Sequence, residues 1–313
     1  MLTITKIYSI MFKNMFFAAF VLLAATSCSN ESELKVGNQN DEQQTTLVPV
    51  TVSVSEFSVS QEEFSSGTTR AAQDAADYSG VKALTLAFYR SSTEVLKTTQ
   101  LRDDALTYTT FGEFSLSLPM GSYTMVVIGH GLNDGEPAIT LTSPTSATFD
   151  DNPARETFVT TQTVNITNTN AVDVSAMLSR VVSKLQVQSS DTRTNPAYSV
   201  RMTFAAGGKS FSPTTGLATD NIGFSNAVAI STAVGATSLS NSYLFLATDE
   251  QTMDVTIETL DEDGNVVFSK LVEDVPFKRN RVTKLTGAMY TNNSVSGAFQ
   301  VETAWLDEYD DTF

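Results

Sequence analysis

The chain has 313 residues, with 19 lysines and arginines against 35 aspartates and glutamates, and a formal net charge of −16 at pH 7. So acidic a surface repels phosphate backbones, which argues against nucleic acid as a partner. The sequence holds one cysteine, Cys28, and one histidine, His130. This excludes intrachain disulfides and zinc sites built from clusters of these residues, so the fold must depend on a hydrophobic core.

Residues 1–27 have the features of a secretory signal peptide. Lys6 and Lys13 precede an unbroken apolar run, Met15–Ala25, which is shorter than the ~20 residues that span a bilayer as a helix. Small residues then follow, as they do before a signal-peptide cleavage site.

The small residues directly before Cys28 look like a bacterial lipobox, in which the cysteine is acylated and becomes the mature N-terminus. Acylation would anchor the protein to a membrane through its lipid. The alternative is an ordinary signal peptide with an incidental cysteine. The polar residues 28–46 predict a disordered tether. Within them, Glu31 and Glu33 resemble a lipoprotein surface-export signal, or they simply belong to a solvated tether.

The first predicted strand begins near residue 47. Val50, Val52 and Val54 alternate with polar residues, which is the period-2 pattern of a half-buried strand. The apolar phase then shifts to Phe57 and Val59, and a β-bulge between the two sets would return both to one face.

The loop after this strand, "SSGTTRAAQDAAD", is rich in small and polar residues, which is typical of an exposed segment that proteases cut. Arg70 followed by Ala71 is the candidate cleavage site for a trypsin-like protease. The alternative is an ordinary connection between strands.

Further strand-like segments continue to the C-terminal end of the sequence. "DEDG" predicts a tight hairpin turn between two of them. The only helical candidates are "DVSAMLSR" and "SNAVAIS". These patterns predict an all-β protein with two tandem immunoglobulin-like β-sandwiches and little helix. The expected domains are 47–172 and 173–313, divided near the polar "TNTNAVD".

No catalytic arrangement stands out in the sequence. We expect His130 to be a loop residue without a catalytic role, since no G-x-S-x-G nucleophile motif is present. Acidic pairs in turns are typical of solvated carboxylates, and "LDEDGN" lacks the further ligands of a calcium loop. We therefore predict no enzyme activity, no cofactor and no metal site. A basic cluster, "FKRNRVTK", either pairs with acids of a neighbouring subunit or forms a solvated strand face.

Together these features resemble the fimbrillin family, the subunits of protease-assisted fimbriae in Gram-negative gut and oral anaerobes. The resemblance spans nearly the whole chain. Besides the lipobox cysteine, it is carried by the stretches "TTRAA", "LPMGSYTMVVI", "LSRVVSKLQV", "VPFKRNRVTKLTGAMY" and "FQVETAW".

The resemblance implies two transthyretin-like sandwich domains and assembly by donor-strand exchange. Cleavage after Arg70 would remove the first strand, and a strand from another fimbrial subunit, identical or related, would replace it. The protein would then be a shaft, tip or anchor subunit of fimbriae on the outer-membrane surface, and it could contact a host or bacterial ligand. The alternative is a surface lipoprotein that binds a glycan or host ligand without polymerising.

Overall fold

The computed structural model describes residues 46–58, 72–74, 78–104, 107–133, 135–150, 153–193, 196–231, 233–291 and 299–303. Within these ranges the chain forms strands and no helix, and therefore no helix that could cross a membrane. The predicted all-β class is confirmed. The strands are β1 Leu47–Ser58, β2 Ala72–Asp74, β3 Ala83–Arg90, β4 Thr93–Leu101, β5 Glu113–Pro119, β6 Gly121–His130, β7 Thr140–Ser143, β8 Ser146–Thr148, β9 Thr157–Ile166, β10 Val172–Arg180, β11 Ser183–Ser189, β12 Ser199–Phe204, β13 Ser210–Phe211, β14 Phe224–Ala229, β15 Leu239–Leu244, β16 Glu250–Leu260, β17 Val266–Lys278, β18 Val282–Gly287 and β19 Gln300–Thr303.

The two helical candidates are wrong, because "DVSAMLSR" lies in β10 and most of "SNAVAIS" lies in β14. In β10, buried Ala176 and Leu178 flank exposed Met177. In β14, Val228 packs against the core while its neighbour Ala227 is exposed. Both segments thus follow the period of 2 that belongs to a strand.

The first sheet has the order β2-β1-β10-β9-β6-β3-β4, and β5 also pairs with β1. β10 and β9 pair through only Ser179 with Val159 and Arg180 with Phe158. The sheet therefore divides into two layers, β5 and β2 with β1 and β10 on one side and β9-β6-β3-β4 on the other. Buried side chains from both layers form one core cluster.

The layer β9-β6-β3-β4 is covered on both of its faces. Leu86 of β3 belongs to the core shared with β1, whereas its neighbour Ala87 belongs to a second cluster. That second cluster includes Phe211 and Phe245, whose rings stack with centroids 4.4 Å apart. The three-stranded sheet β13-β8-β7 contributes to the same cluster through Ala147. This double cover explains why β3 is buried at nearly every position.

Two four-stranded sheets follow, with the orders β15-β11-β18-β19 and β14-β12-β16-β17. A third core cluster joins buried residues of both sheets, including Leu185 and Ile257. The predicted "DEDG" hairpin is confirmed, because β16 and β17 pair antiparallel around it. Gly264 has a φ of +83°, a conformation that glycine adopts without steric cost.

A polar cluster joins the first sheet to the sheets that follow. Arg180 forms an ion pair with Glu156 at 2.6 Å, and the Tyr78 hydroxyl donates to the same carboxylate at 2.8 Å. Arg180 also donates to Asn280 (3.2 Å), whose backbone N–H donates to the carbonyl of Val182 at 2.9 Å. Burial, with Glu156 adding to it, raises the pKa of Tyr78 to about 12, so its phenol stays protonated.

The expected division into domains 47–172 and 173–313 stays a prediction. Strand β10 begins at the proposed boundary and pairs with β1, so it belongs to the first sheet. Strand β11, which begins at Ser183, is the first strand of the later sheets.

His130 is not a loop residue: it ends β6 and is fully buried. Its Nδ1 lies 2.6 Å from the carbonyl oxygen of Gly131, and its Nε2 accepts the N–H of Ile139 at 3.1 Å. This pattern assigns the neutral ring with the proton on Nδ1. Burial lowers the pKa of His130 to about 4; the Gly131 hydrogen bond opposes this shift and the charge of Arg155 adds to it.

This lowered pKa predicts acid sensitivity. The unfolded chain binds the proton near pH 6.5, whereas the folded chain binds it only near pH 4. Protonation therefore favours unfolding, and His130 alone removes up to about 3 kcal/mol as the pH falls through this window. Urea unfolding at pH 7 and pH 4.5 measures the loss. In His130→Gln, which is less stable at pH 7, we expect the loss on acidification to be about 2 kcal/mol smaller. An equal loss in both proteins would contradict the assignment.

Candidate functional site at the first strand

Strand β1 lies between two neighbours, so both of its backbone edges are paired. On one edge, residues 47–53 pair antiparallel with β5, from Leu47 opposite Pro119 to Ser53 opposite Glu113. On the other edge, β1 pairs in parallel with β10, beginning with Val50 opposite Val172. A parallel neighbour cannot be supplied by a hairpin, so β1 is held by a strand distant in sequence.

The alternating valines of β1 face the core as the sequence pattern predicted. Val48, Val50, Val52 and Val54 are 0%, 1%, 0% and 6% exposed. Burying one such side chain contributes roughly 1.5–3 kcal/mol, so the four contribute about 6–12 kcal/mol. That sum is comparable with the whole stability of a typical domain, about 5–15 kcal/mol. A groove emptied of β1 is therefore unstable unless another strand fills it.

The predicted bulge between the two apolar sets is present. The register of β1 against β10 shifts between Val54 and Glu56, after which Phe57 lies opposite Leu178. Beyond the bulge, residues 56–58 pair with β2 along the edge that β5 occupies before it. β1 is therefore paired on both sides of the bulge, although its apolar side chains change phase there.

Several predicted site residues lie outside the described residues: Cys28, Val59, Arg70 and Ala71. The lipid anchor and the cleavage site therefore stay predictions. Connectivity still limits what a cut could do, because Ser58 pairs with Ala72 and Arg70 lies between them in the chain. Cleavage after Arg70 would separate β1 covalently from β2 and from every later strand.

The sequence pattern does not show which strands pair with β1. Most of β10 is the helical candidate "DVSAMLSR", although the strand alternates between apolar and polar or exposed positions as β1 does, with Val172, Val174, Ala176 and Leu178 as the apolar set. That alternation was the available signal for a strand. Nothing in the sequence indicated that this strand would pair with β1 in parallel.

The charged groups of the "DEDG" turn and of the basic cluster form hydrogen bonds and ion pairs within the chain. Asp261 of the "DEDG" turn accepts the backbone and side-chain N–H groups of Asn265 at 2.8 and 3.0 Å, and these bonds lower the pKa of its carboxyl group. In the basic cluster, Lys278 pairs with Glu250 at 2.6 Å and Arg279 with Asp249 at 2.8 Å. These ion pairs are intramolecular. In the part of the chain that the structure describes, no group of three or more acidic, histidine or cysteine side chains is arranged to hold a metal.

Residues 43–312 match the profile of a family described as "Family of unknown function (DUF6562)". Among solved structures, a candidate adhesin from Bacteroides ovatus aligns with a TM-score of 0.51 and 12% identity, covering 83% of this chain and 94% of that one. The fimbrial anchor protein Mfa2 from Porphyromonas gingivalis aligns with a TM-score of 0.43 and 14% identity, over 82% and 95%. At such identities the first alignment shows a shared fold and nothing more. A comparison with curated proteins gave no match.

The geometry of β1 predicts which of its side chains matter for stability. Val52→Ala should lower the free energy of unfolding by about 2 kcal/mol, because it removes core contacts and leaves a small cavity. Thr51→Ala, one residue earlier on the half-buried opposite face, should cost less than about 1 kcal/mol. Chemical denaturation of both variants measures this difference. Equal costs would show that β1 does not present its valines to the core.

Proposed function

The chain belongs to the family of unknown function DUF6562, and we propose that it is a lipoprotein-derived subunit of surface fimbriae. In this proposal, subunits join by exchanging β1 for a strand of another subunit. The protein acts by binding and without catalysis. The B. ovatus protein that shares its fold is described as a candidate adhesin, which agrees with a role at the cell surface.

The observation that carries this proposal is the position of β1 between β5 and β10. Strand exchange needs an acceptor that offers backbone hydrogen bonds on both sides and pockets for alternate side chains. The site of β1 meets both requirements, through its two paired edges and its four buried valines. An incoming strand with the same alternation would restore what the departing strand removed.

The order of the proposed sites along the chain determines which parts of the protein a single cut would release together. Cys28 and β1 both lie on the N-terminal side of Arg70, so one cut frees the lipid and the strand on the same fragment. The remaining subunit begins at Ala71, just before β2, and loses its membrane anchor as it gains an open groove. A subunit that keeps its lipid and β1 would instead remain on the outer membrane as an anchor.

Limited proteolysis tests the cleavage step. Trypsin added to purified precursor should give a product that begins at Ala71 and a ladder of oligomers in mass multiples of the subunit. Arg70→Ala should prevent both. Lys270→Ala, which removes an exposed lysine of β17, should still form the ladder, since its site lies outside the proposed loop. N-terminal sequencing and size-exclusion chromatography provide the readouts, and a ladder from Arg70→Ala would contradict the cleavage step.

Strand replacement is tested separately with a peptide of residues 47–58. Present in excess during cleavage, this peptide should occupy the open groove and suppress the ladder. The same peptide with Val52→Asp should leave the ladder intact, because it would place an unpaired charge in the core. Equal suppression by the two peptides would show that the subunits join through another surface.

A further inference from the structure

A cleft with a mixed polar and apolar lining lies away from β1, between loops of the first sheet and two edge strands of the later sheets. Its volume is about 720 Å³, within the range of ~300–1,000 Å³ that is usual for small-molecule sites. Residues from 79–82, 131–133 and 153–156, together with Glu136, form one wall, and residues from β14 and β15 form the floor. None of its lining residues belongs to β1, β5 or β10.

The floor of the cleft lies at the seam where the edges of two sheets meet. β14 and β15 are the edge strands of their respective four-stranded sheets, and the Asn226 side-chain amide donates to Ser242 Oγ across the seam at 3.0 Å. Ala227 and Ala229 project no larger side chain into this region and are exposed, as is Asn241. Small side chains flanked by amides leave space for a ligand beside groups that both donate and accept hydrogen bonds.

The wall above this floor holds a buried cation, Arg155, whose position is fixed by its neighbours. Arg155 is 8% exposed and forms an ion pair with Glu136. Glu136 in turn accepts the backbone and side-chain N–H groups of Asn133 at 3.1 and 3.3 Å. The Glu136 side chain is 25% exposed and lines the cleft, so its carboxylate can accept hydrogen bonds from a ligand.

The charged side chains that line the cleft sum to no net charge. Lys82 and Arg155 oppose Glu136 and Glu156, so the cleft favours neither an anion nor a cation. Apolar surface lies among these polar groups, from Leu132, Pro153 and Tyr243. A ligand that fits this lining is uncharged, carries many groups that donate and accept hydrogen bonds, and has apolar C–H faces. Saccharides combine these three properties.

We propose that this cleft binds a short neutral oligosaccharide. The site goes beyond the proposed assembly role and does not depend on it, because its lining is complete in the uncleaved chain. The Glu136 carboxylate, held in place by Arg155, and the amides of Asn226 and Asn241 would contact the sugar hydroxyls. Tyr243 and the two alanines of the floor would lie against the sugar rings.

The test uses purified, uncleaved precursor on an array of neutral, sialylated and sulfated oligosaccharides of two to six units. The strongest neutral binder is then titrated calorimetrically in 0.1 M and 1 M NaCl. We expect binding to a neutral member with little change in affinity between the two salt concentrations, because no net charge is neutralised. Ala227→Trp should fill the cleft and weaken binding at least tenfold.

Ser269→Trp is the matched control. It places the same indole on an exposed position of β17, at the opposite edge of the sheet that contains β14, and should bind as the unchanged protein does. Asn241→Ala provides a second test should Ala227→Trp unfold: it removes an exposed amide from the floor and should also weaken binding at least tenfold.

Three results would overturn the proposal: no neutral oligosaccharide bound, binding confined to acidic members of the array, or equal affinity in Ala227→Trp and Ser269→Trp. The outcome is separable from that of strand exchange. Arg70→Ala precursor, which should not polymerise, is expected to keep its oligosaccharide affinity. If the cleaved protein formed no oligomer ladder but the precursor bound the oligosaccharide, only the assembly role would be contradicted. If the ladder formed and no oligosaccharide bound, only the proposed binding site would be contradicted.

Discussion

The burial of β1 between β5 and β10 is the constraint on which the first sheet depends. The strand is joined by backbone hydrogen bonds on both edges and by four valines to the core. Its parallel neighbour is far away in sequence, as the hydrogen bond between the Ser55 and Ser175 hydroxyls shows. Contacts of this kind depend on the pattern of the strand and not on its covalent attachment, which is the physical basis of the proposed strand exchange.

The rest of the first sheet also packs against a core cluster that does not include β1. The layer β9-β6-β3-β4 is buried on both faces, and its second face packs on a cluster that includes Phe211 and Phe245. It shares only two paired positions with β10. Loss of β1 therefore exposes one face of this layer and leaves the other face packed. The ion pair of Arg180 with Glu156, at the end of β10, lies where the two layers remain joined.

Individual elements show which structural features the sequence patterns predict and which they do not. The valine alternation predicted β1 and the phase shift predicted its bulge, because both follow from the period of side chains along one strand. The Asp-Gly turn predicted the β16–β17 hairpin, since two strands joined by a tight turn are neighbours by necessity. The helical candidates failed because short segments rich in alanine, serine and valine have weak local preference, and packing in a sheet decided their conformation. The sequence does not reveal the burial of His130, because no local signal shows that residues distant in the chain will cover the end of β6.

The sequence by itself determined an all-β protein whose first strand has one apolar face, an acidic surface and a hydrophobic core without disulfides. These are local or compositional properties, and they hold whatever neighbours the strands acquire. Only the tertiary structure decided that β1 pairs with β5 and in parallel with β10, and that β14 and β15 meet the loop of Arg155 to form a cleft. Such juxtapositions join residues distant in the chain, and they arise because core packing selects among many strand pairings that the local pattern allows equally.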